Sequence, residues 1–195
     1  MKLNVLSLKP TQMAVGYKEV DYRLHRIKKM GGKELEDYLH ERRAPVVLGP
    51  EGATYIVDHH HLVRSCWEAG VEDVPVERLA DLSHLKLPEF WIALKDAHWI
   101  YPFDQFGQGP HDPIHLPPSI RSLADDPFRG LAWMAREAGL YTKSEKPFAE
   151  FQWANFFRKK LKKHPYLQGY DECLKEAKGL ALGAEAQHLP GFAGN

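Results

Sequence analysis

The sequence predicts an α+β fold: a small mixed sheet with packed helices and an all-helical C-terminal extension. Three observations carry that prediction. Apolar runs suited to strands fall at Leu3, Val46, Thr54 and Val71, helix-spaced apolar residues separate them, and beyond Leu123 only helical spacing recurs. Residues 1–100 are therefore read as the α+β core. Residues 101–195 are read as a loop and helical extension packed on that core as one compact unit.

Leu3, Val5, Leu6 and Leu8 form an apolar run closed by Lys9-Pro10, which predicts one buried strand ending at a turn. From Gly16 to Met30, Tyr17, Val20, Leu24 and Ile27 recur at helical spacing, with Lys18, Glu19, Arg23, Arg26 and Lys28 between them. Gly31-Gly32 ends this helix. Leu35, Tyr38 and Leu39 predict a second one, which Pro45 closes. Val46-Val47-Leu48, Gly49-Pro50-Glu51-Gly52 and Thr54-Tyr55-Ile56-Val57 then read as a β-hairpin.

Asp58 and His59-His60-His61 follow directly, and Leu62, Val63, Cys66 and Trp67 continue at helical spacing until Gly70. A strand is expected over 71–79 and a helix after Pro88, carrying Phe90, Ile92, Leu94, Ala97 and Trp99. The stretch 101–119 is too rich in Pro and Gly for either element and reads as a loop lining a site. Helices are expected over 123–139, 148–161 and 170–177. The Ala- and Gly-rich tail from Leu180 is expected to fray.

Composition narrows the function. With 26 basic and 26 acidic side chains the formal charge is zero, so bulk electrostatic attraction to DNA or a membrane is excluded as the main source of affinity. Two cysteines far apart, Cys66 and Cys173, supply neither a disulfide scaffold nor a CxxC metal or redox site. The N-terminal apolar run is too short for a secretory or membrane-spanning segment, so the expected location is cytoplasmic, with no membrane partner.

Asp58 to His61 is the strongest chemical signal, because it joins a strand end to a helix start. The first amides of a helix lack intrahelical acceptors and its dipole favours an anion. His59, His60, His61 and Arg64 are the candidate phosphate-binding residues. Asp58, His60 and His61 are the candidate proton carriers, and the plainer alternative makes Asp58 an N-cap with a single His turned inward.

Two other clusters carry weaker signals. His111 and His115 could meet Asp58 around a metal ion, although Pro113 places them on a loop, where ordinary hydrogen bonding is the simpler expectation. Arg158-Lys159-Lys160-Leu161-Lys162-Lys163 could contact nucleic-acid phosphates, yet a helix C-terminus favours cations on its own account.

The segment Tyr55–Arg64, with the hairpin before it and the early Leu6-Ser7-Leu8-Lys9-Pro10-Thr11-Gln12 stretch, resembles the core of the ParB/sulfiredoxin fold, whose members include partition proteins and free-serine kinases. Asp125 to Trp133 and Lys146 to Ala154 look more narrowly like the ParB-like nuclease group. This resemblance implies a phosphate- or nucleotide-binding enzyme, a nuclease or phosphotransferase acting on a phosphate ester. A divalent ion such as Mg2+ and a nucleotide, ATP or ADP, are the implied cofactors. Its alternative is a non-catalytic ParB-like module that contacts DNA or protein.

Asp58, His60 and His61 fall on the Asp and the two His of the kinase-type motif, while His59 replaces its Gly and Leu62 its Arg. For the family's carboxylate, Glu19 is the candidate base and Gln12 the alternative positional match. A Glu on the charged face of an amphipathic helix is otherwise expected to be solvated.

Overall fold

The computed structural model describes residues 1–194. The chain forms two compact units, one of residues 1–15 and 20–124, the other of residues 16–19 and 125–195. The 101–124 stretch is part of the first unit.

Five strands build the sheet of the first unit: β1 (Lys2–Asn4), β2 (Leu8–Pro10), β4 (Ala44–Leu48), β5 (Thr54–Ile56) and β6 (Asp73–Asp81), in the order β1-β6-β4-β5-β2. Short β3 (Ala14–Val15) and β7 (Ala124–Asp125) lie outside it. The hairpin is where the sequence places it, with Val46 opposite Ile56, Val47 opposite Tyr55 and Leu48 opposite Thr54. β6 runs parallel to β4, β2 runs parallel to β5, and β1 closes the other edge antiparallel to β6.

The expected N-terminal strand is in fact two strands on opposite edges of the sheet. Asn4 Oδ1 accepts the Leu6 amide at 3.0 Å and the Ser7 hydroxyl donates to the Asn4 carbonyl at 2.7 Å, which bends Val5–Ser7 into a 3-10 turn. Four strand intervals would span roughly 19 Å in a flat sheet. The four residue steps from Asn4 to Leu8 reach at most about 14 Å. The sheet therefore curls until its edges are one turn apart.

Helices α1 (Tyr17–Lys29), α2 (Gly32–His40), α3 (His60–Glu68) and α4 (Leu87–Asp96) occupy the expected places. Val46 and Val47 are both buried although successive strand residues face opposite sides, so both sheet faces are covered. On the Val47 side, Tyr55, Phe90, Leu94 and Ile100 form one apolar cluster, with the Tyr55 and Phe90 rings 4.9 Å apart.

The second unit packs α5 (Pro127–Glu137), α6 (Ala149–Lys160), α7 (Pro165–Gln168) and α8 (Tyr170–Ala181) around Trp153, Phe156, Phe157, Leu131 and Cys173. Its C-terminal stretch does not fray within the described residues. Ala177, Ala181, Ala186 and Leu189 are buried, Trp153 Nε1 donates to the Pro190 carbonyl at 2.7 Å, and Thr142 donates its amide to Gly191. Small residues here mark close packing. Both cysteines are free and buried, and burial pushes the Cys66 thiol up to about 12.

Gly16 shows how tight that packing is. A Cβ there would stand 2.7 Å from the Gly130 Cα and 2.8 Å from the Arg129 carbonyl carbon, both backbone atoms that cannot step aside. Gly16→Ala should lower stability by about 1–3 kcal/mol, the usual cost of overpacking. Gly32→Ala, at a helix start with open space around it, should leave stability equal or higher by about 0.5 kcal/mol. Urea unfolding of the two variants measures the contrast.

Candidate functional site

The strand-to-helix turn after β5 is held from three sides. Thr11 Oγ1 donates to the Ile56 carbonyl at 3.0 Å, and the Val57 amide donates to the Pro45 carbonyl at 3.0 Å. Asp58 is exposed, and its Oδ1 accepts the amide of the next residue, His59, at 2.6 Å. The N-cap of α3 is thus His59, which caps nothing with its side chain.

His59 has φ 62° and ψ 23°, the left-handed conformation that favours glycine. A His therefore stands, at the position where the resembled motif has Gly, in a backbone conformation that Gly adopts most easily. The His59 ring is anchored through Nδ1 to the Arg42 carbonyl at 3.3 Å, and since a carbonyl only accepts, Nδ1 carries the proton.

The three histidines divide their positions. His60 is 1 % exposed, and its Nε2 accepts the Thr11 amide at 3.2 Å. An amide only donates, so neutral His60 bears its proton on Nδ1. His59 and His61 are half-buried. Behind them the Ser65 hydroxyl lies 2.7 Å from the His61 carbonyl and 3.0 Å from the Val20 carbonyl.

Arg64 is buried one turn after His60. Its Nε donates to Glu68 at 2.8 Å, its Nη1 reaches the Leu123 carbonyl at 3.0 Å and the Ile120 carbonyl at 3.4 Å, and its guanidinium lies 5.0 Å from the Trp67 ring centre. Those donors bind the fold to itself, tying α3 to the carbonyls that flank the Ile120–Ser122 turn and to its own Glu68 one turn on.

Glu19 is 4 % exposed, contrary to the solvated position that the helical pattern suggests. It belongs to the second unit, where its charge and that of Arg129 both bear on the Tyr141 phenol, a group that burial pushes above its ordinary range. Gln12, the other candidate, follows directly on Thr11 and is 9 % exposed.

The 111–115 segment is organised by its own carboxylates. Asp104 accepts the Phe106 and Gln108 amides at 2.9 and 2.8 Å and pairs with His111 Nε2 at 3.3 Å, while Asp112 accepts the Ile114 amide at 3.0 Å. His115 is exposed. Among the described residues no three His, Cys, Asp or Glu side chains gather as a metal site, so Asp58, His111 and His115 do not form one.

In the second unit Asp126 is the N-cap of α5, taking the Phe128 and Arg129 amides and pairing with Arg158 at 2.5 Å. Asp125 accepts the Tyr17 amide at 2.7 Å and the Tyr166 hydroxyl. Arg129 is buried over the Phe151 ring, 3.5 Å from its centre. The acidic pair is therefore a helix start whose side chains are committed to internal bonds. Of the basic run, Arg158 is used by Asp126 and Lys160 pairs with Glu185 at 2.9 Å, leaving exposed Lys159, Lys162 and Lys163 at its solvent side.

Sequence reasoning passed over Thr11, whose amide and hydroxyl both serve the turn, and Ser119, which is buried ahead of Ile120. A polar Thr directly after Lys9-Pro10 was the available signal for the first.

His59→Gly tests the strained turn. Gly adopts this conformation without the Cβ penalty of about 1–2 kcal/mol, less roughly 0.5–1 kcal/mol for its freer unfolded chain. Loss of the bond to Arg42, worth roughly 0.5–1.5 kcal/mol, works the other way, so the variant should stay within about 1 kcal/mol of the native chain, read from its urea midpoint.

Comparison with known proteins places this geometry. The sequence model of the family described as "Putative ParB-like nuclease" matches residues 1–159. The chain is also similar to protein Atu1540 from Agrobacterium tumefaciens, known from a crystal structure: the two are 38 % identical, the match covers 100 % of this chain and 98 % of that one, and the TM-score is 0.90. No curated protein matches the chain.

Proposed function

The chain belongs to the ParB-like nuclease family, and from that premise we propose that it is a cytoplasmic enzyme that binds a phosphate ester or nucleotide at the Asp58–His61 turn and hydrolyses or transfers the phosphoryl group. One observation carries the reading: α3 starts at a strand end with no side-chain cap, and Asp58, His59 and His61 stand at its outer side. A helix N-terminus so placed attracts a phosphate through its dipole and its first amides. His61 and Asp58 are the groups able to pass a proton to or from the ester oxygens. His60, buried and bound to Thr11, is a positioning residue, and Arg64 holds α3 in place.

Mg2+ is ordinarily held by one or two carboxylates together with the substrate's own phosphates. Asp58 would supply the carboxylate, so the ion would arrive with the ligand and offset its charge. No helix among the described residues is long and apolar enough to cross a membrane, and two free thiols suit a reducing compartment.

A second reading, binding without turnover, is favoured by Gln12. Beside the turn stands an amide where a general base would need a carboxylate. Turnover of a chromogenic phosphodiester separates the two, and phosphate binding without turnover selects the module.

His61→Ala should weaken the binding of inorganic phosphate, ADP or ATP by about 1.5–3 kcal/mol, the worth of a hydrogen bond to a charged group. His25→Ala, on an exposed helix face, should leave binding as it was. Calorimetric titration measures both variants. For the native protein, a ligand at a hundred times its dissociation constant should add about 2.7 kcal/mol of stability, and an unmoved melting curve across phosphate, nucleotides and divalent ions would remove the phosphate reading.

Replacing Lys159, Lys160, Lys162 and Lys163 by Gln should change DNA affinity and its salt dependence little, because the run is in part neutralised internally. A steep loss of affinity in a folded variant would instead favour a DNA-binding module.

A further inference from the structure

Among the described residues, Gln12 Oε1 and Ser119 Oγ, both in the first unit, are buried without a hydrogen-bonding partner, on residues each 9 % exposed. Protein interiors pair nearly all such groups, so each needs an explanation.

Both atoms sit on segments gripped by one face of α3. His60 and Arg64 stand one helical turn apart on that face. His60 accepts the amide of Thr11, the residue before Gln12, at 3.2 Å. Arg64 donates to the carbonyl of Ile120, the residue after Ser119, at 3.4 Å. The 3-10 turn Ile120–Ser122 in turn packs against both β2 and α3.

We propose that Gln12 and Ser119 form a polar subsite beside the phosphate turn that receives a free hydroxyl on the alcohol part of the bound phosphate ester. This rests on the phosphate reading above and names its substrate class. Gln12 Oε1 is a neutral acceptor and requires a ligand that donates. A second phosphate presents mainly acceptors, and an ammonium would be desolvated against a neutral amide with no carboxylate to balance it. A hydroxyl matches the bonding needs of both atoms, since its hydrogen can go to Gln12 Oε1 and its oxygen can accept from the Ser119 hydroxyl. The ligand is then a hydroxyl-bearing phosphate ester, such as a polyol phosphate or a nucleotide through its sugar.

The experiment compares glycerol 3-phosphate with n-propyl phosphate, which has the same carbon chain and no free hydroxyl, and with inorganic phosphate. Each is titrated calorimetrically into the native protein, Gln12→Leu and Ser119→Ala. In the native protein glycerol 3-phosphate should bind tighter than propyl phosphate by about fivefold or more, the worth of one ordinary hydrogen bond. Gln12→Leu should bring the two ligands level while leaving propyl phosphate affinity unchanged. It should also raise the melting temperature of the free protein, since it removes a buried acceptor that has no partner there. Ser119→Ala should shrink the preference.

Equal affinities in a native protein that still binds inorganic phosphate would overturn the subsite and leave the phosphate reading standing. A Gln12→Leu protein that melts earlier yet keeps the preference would make Gln12 structural and overturn it too. Absence of binding by all three ligands would remove both readings together.

Discussion

The hydrogen bond between His60 Nε2 and the Thr11 amide ties the first unit together, because it joins the end of an edge strand to the first residue of α3 at a point closed to water. A buried amide left without its acceptor costs about 1–3 kcal/mol, more than the bond itself contributes net. Arg64 and Ser65 repeat the device along the same helix, reaching the carbonyls of Ile120, Leu123 and Val20. α3 thus carries polar side chains on its interior face, and their bonds reach three separate segments, at Thr11, at Val20 and at 120–123. His59 and His61 can stand at the outer side of a fixed turn because His60, between them, is spent inside.

Segments whose partners lie close in sequence were legible. The hairpin over 44–56 needs only β-branched runs and a Gly-Pro turn, and both are contiguous. The N-terminal run was harder, since Val5 and Leu6 continue the apolar pattern and only the Asn4 and Ser7 side chains bend it into a turn. Glu19 was misplaced for a different reason. The first turn of α1 belongs to the second unit and the rest of the helix to the first, so one amphipathic stripe does not describe both. The turn around Asp58 was legible as a location, whereas the separate duties of three consecutive histidines depend on Thr11 and Arg42, distant residues that no spacing reveals.

Electrostatics follow the same division between local and distant partners. A run of five cations in six positions reads as a phosphate contact when taken alone. Asp126, which also caps α5, takes Arg158, and Glu185 takes Lys160, so part of that charge serves the helical unit that contains it. The remaining lysines lie at the end of α6, where partly negative carbonyls favour cations without any ligand. A formally neutral chain whose basic run is partly paired with its own carboxylates has little long-range field with which to gather a polyanion. The small phosphate ligand proposed above needs no such field, since a helix terminus acts only over its first turn.

The chemistry open to the turn then depends on which groups can change protonation near it. Gln12 cannot, because an amide neither gains nor loses a proton near neutral pH, so it can orient a hydroxyl without activating it. His60 bonds Thr11 through Nε2, and protonating that nitrogen would set it against a second donor, the Thr11 amide. Asp58 and His61 remain, one exposed and one half-buried, and both at the outer side of the helix start. On the proposed reading these groups suit protonation of a leaving oxygen or capture of a proton from water. On the proposal that the turn binds a phosphate ester, its residues suit hydrolysis better than transfer to a second alcohol.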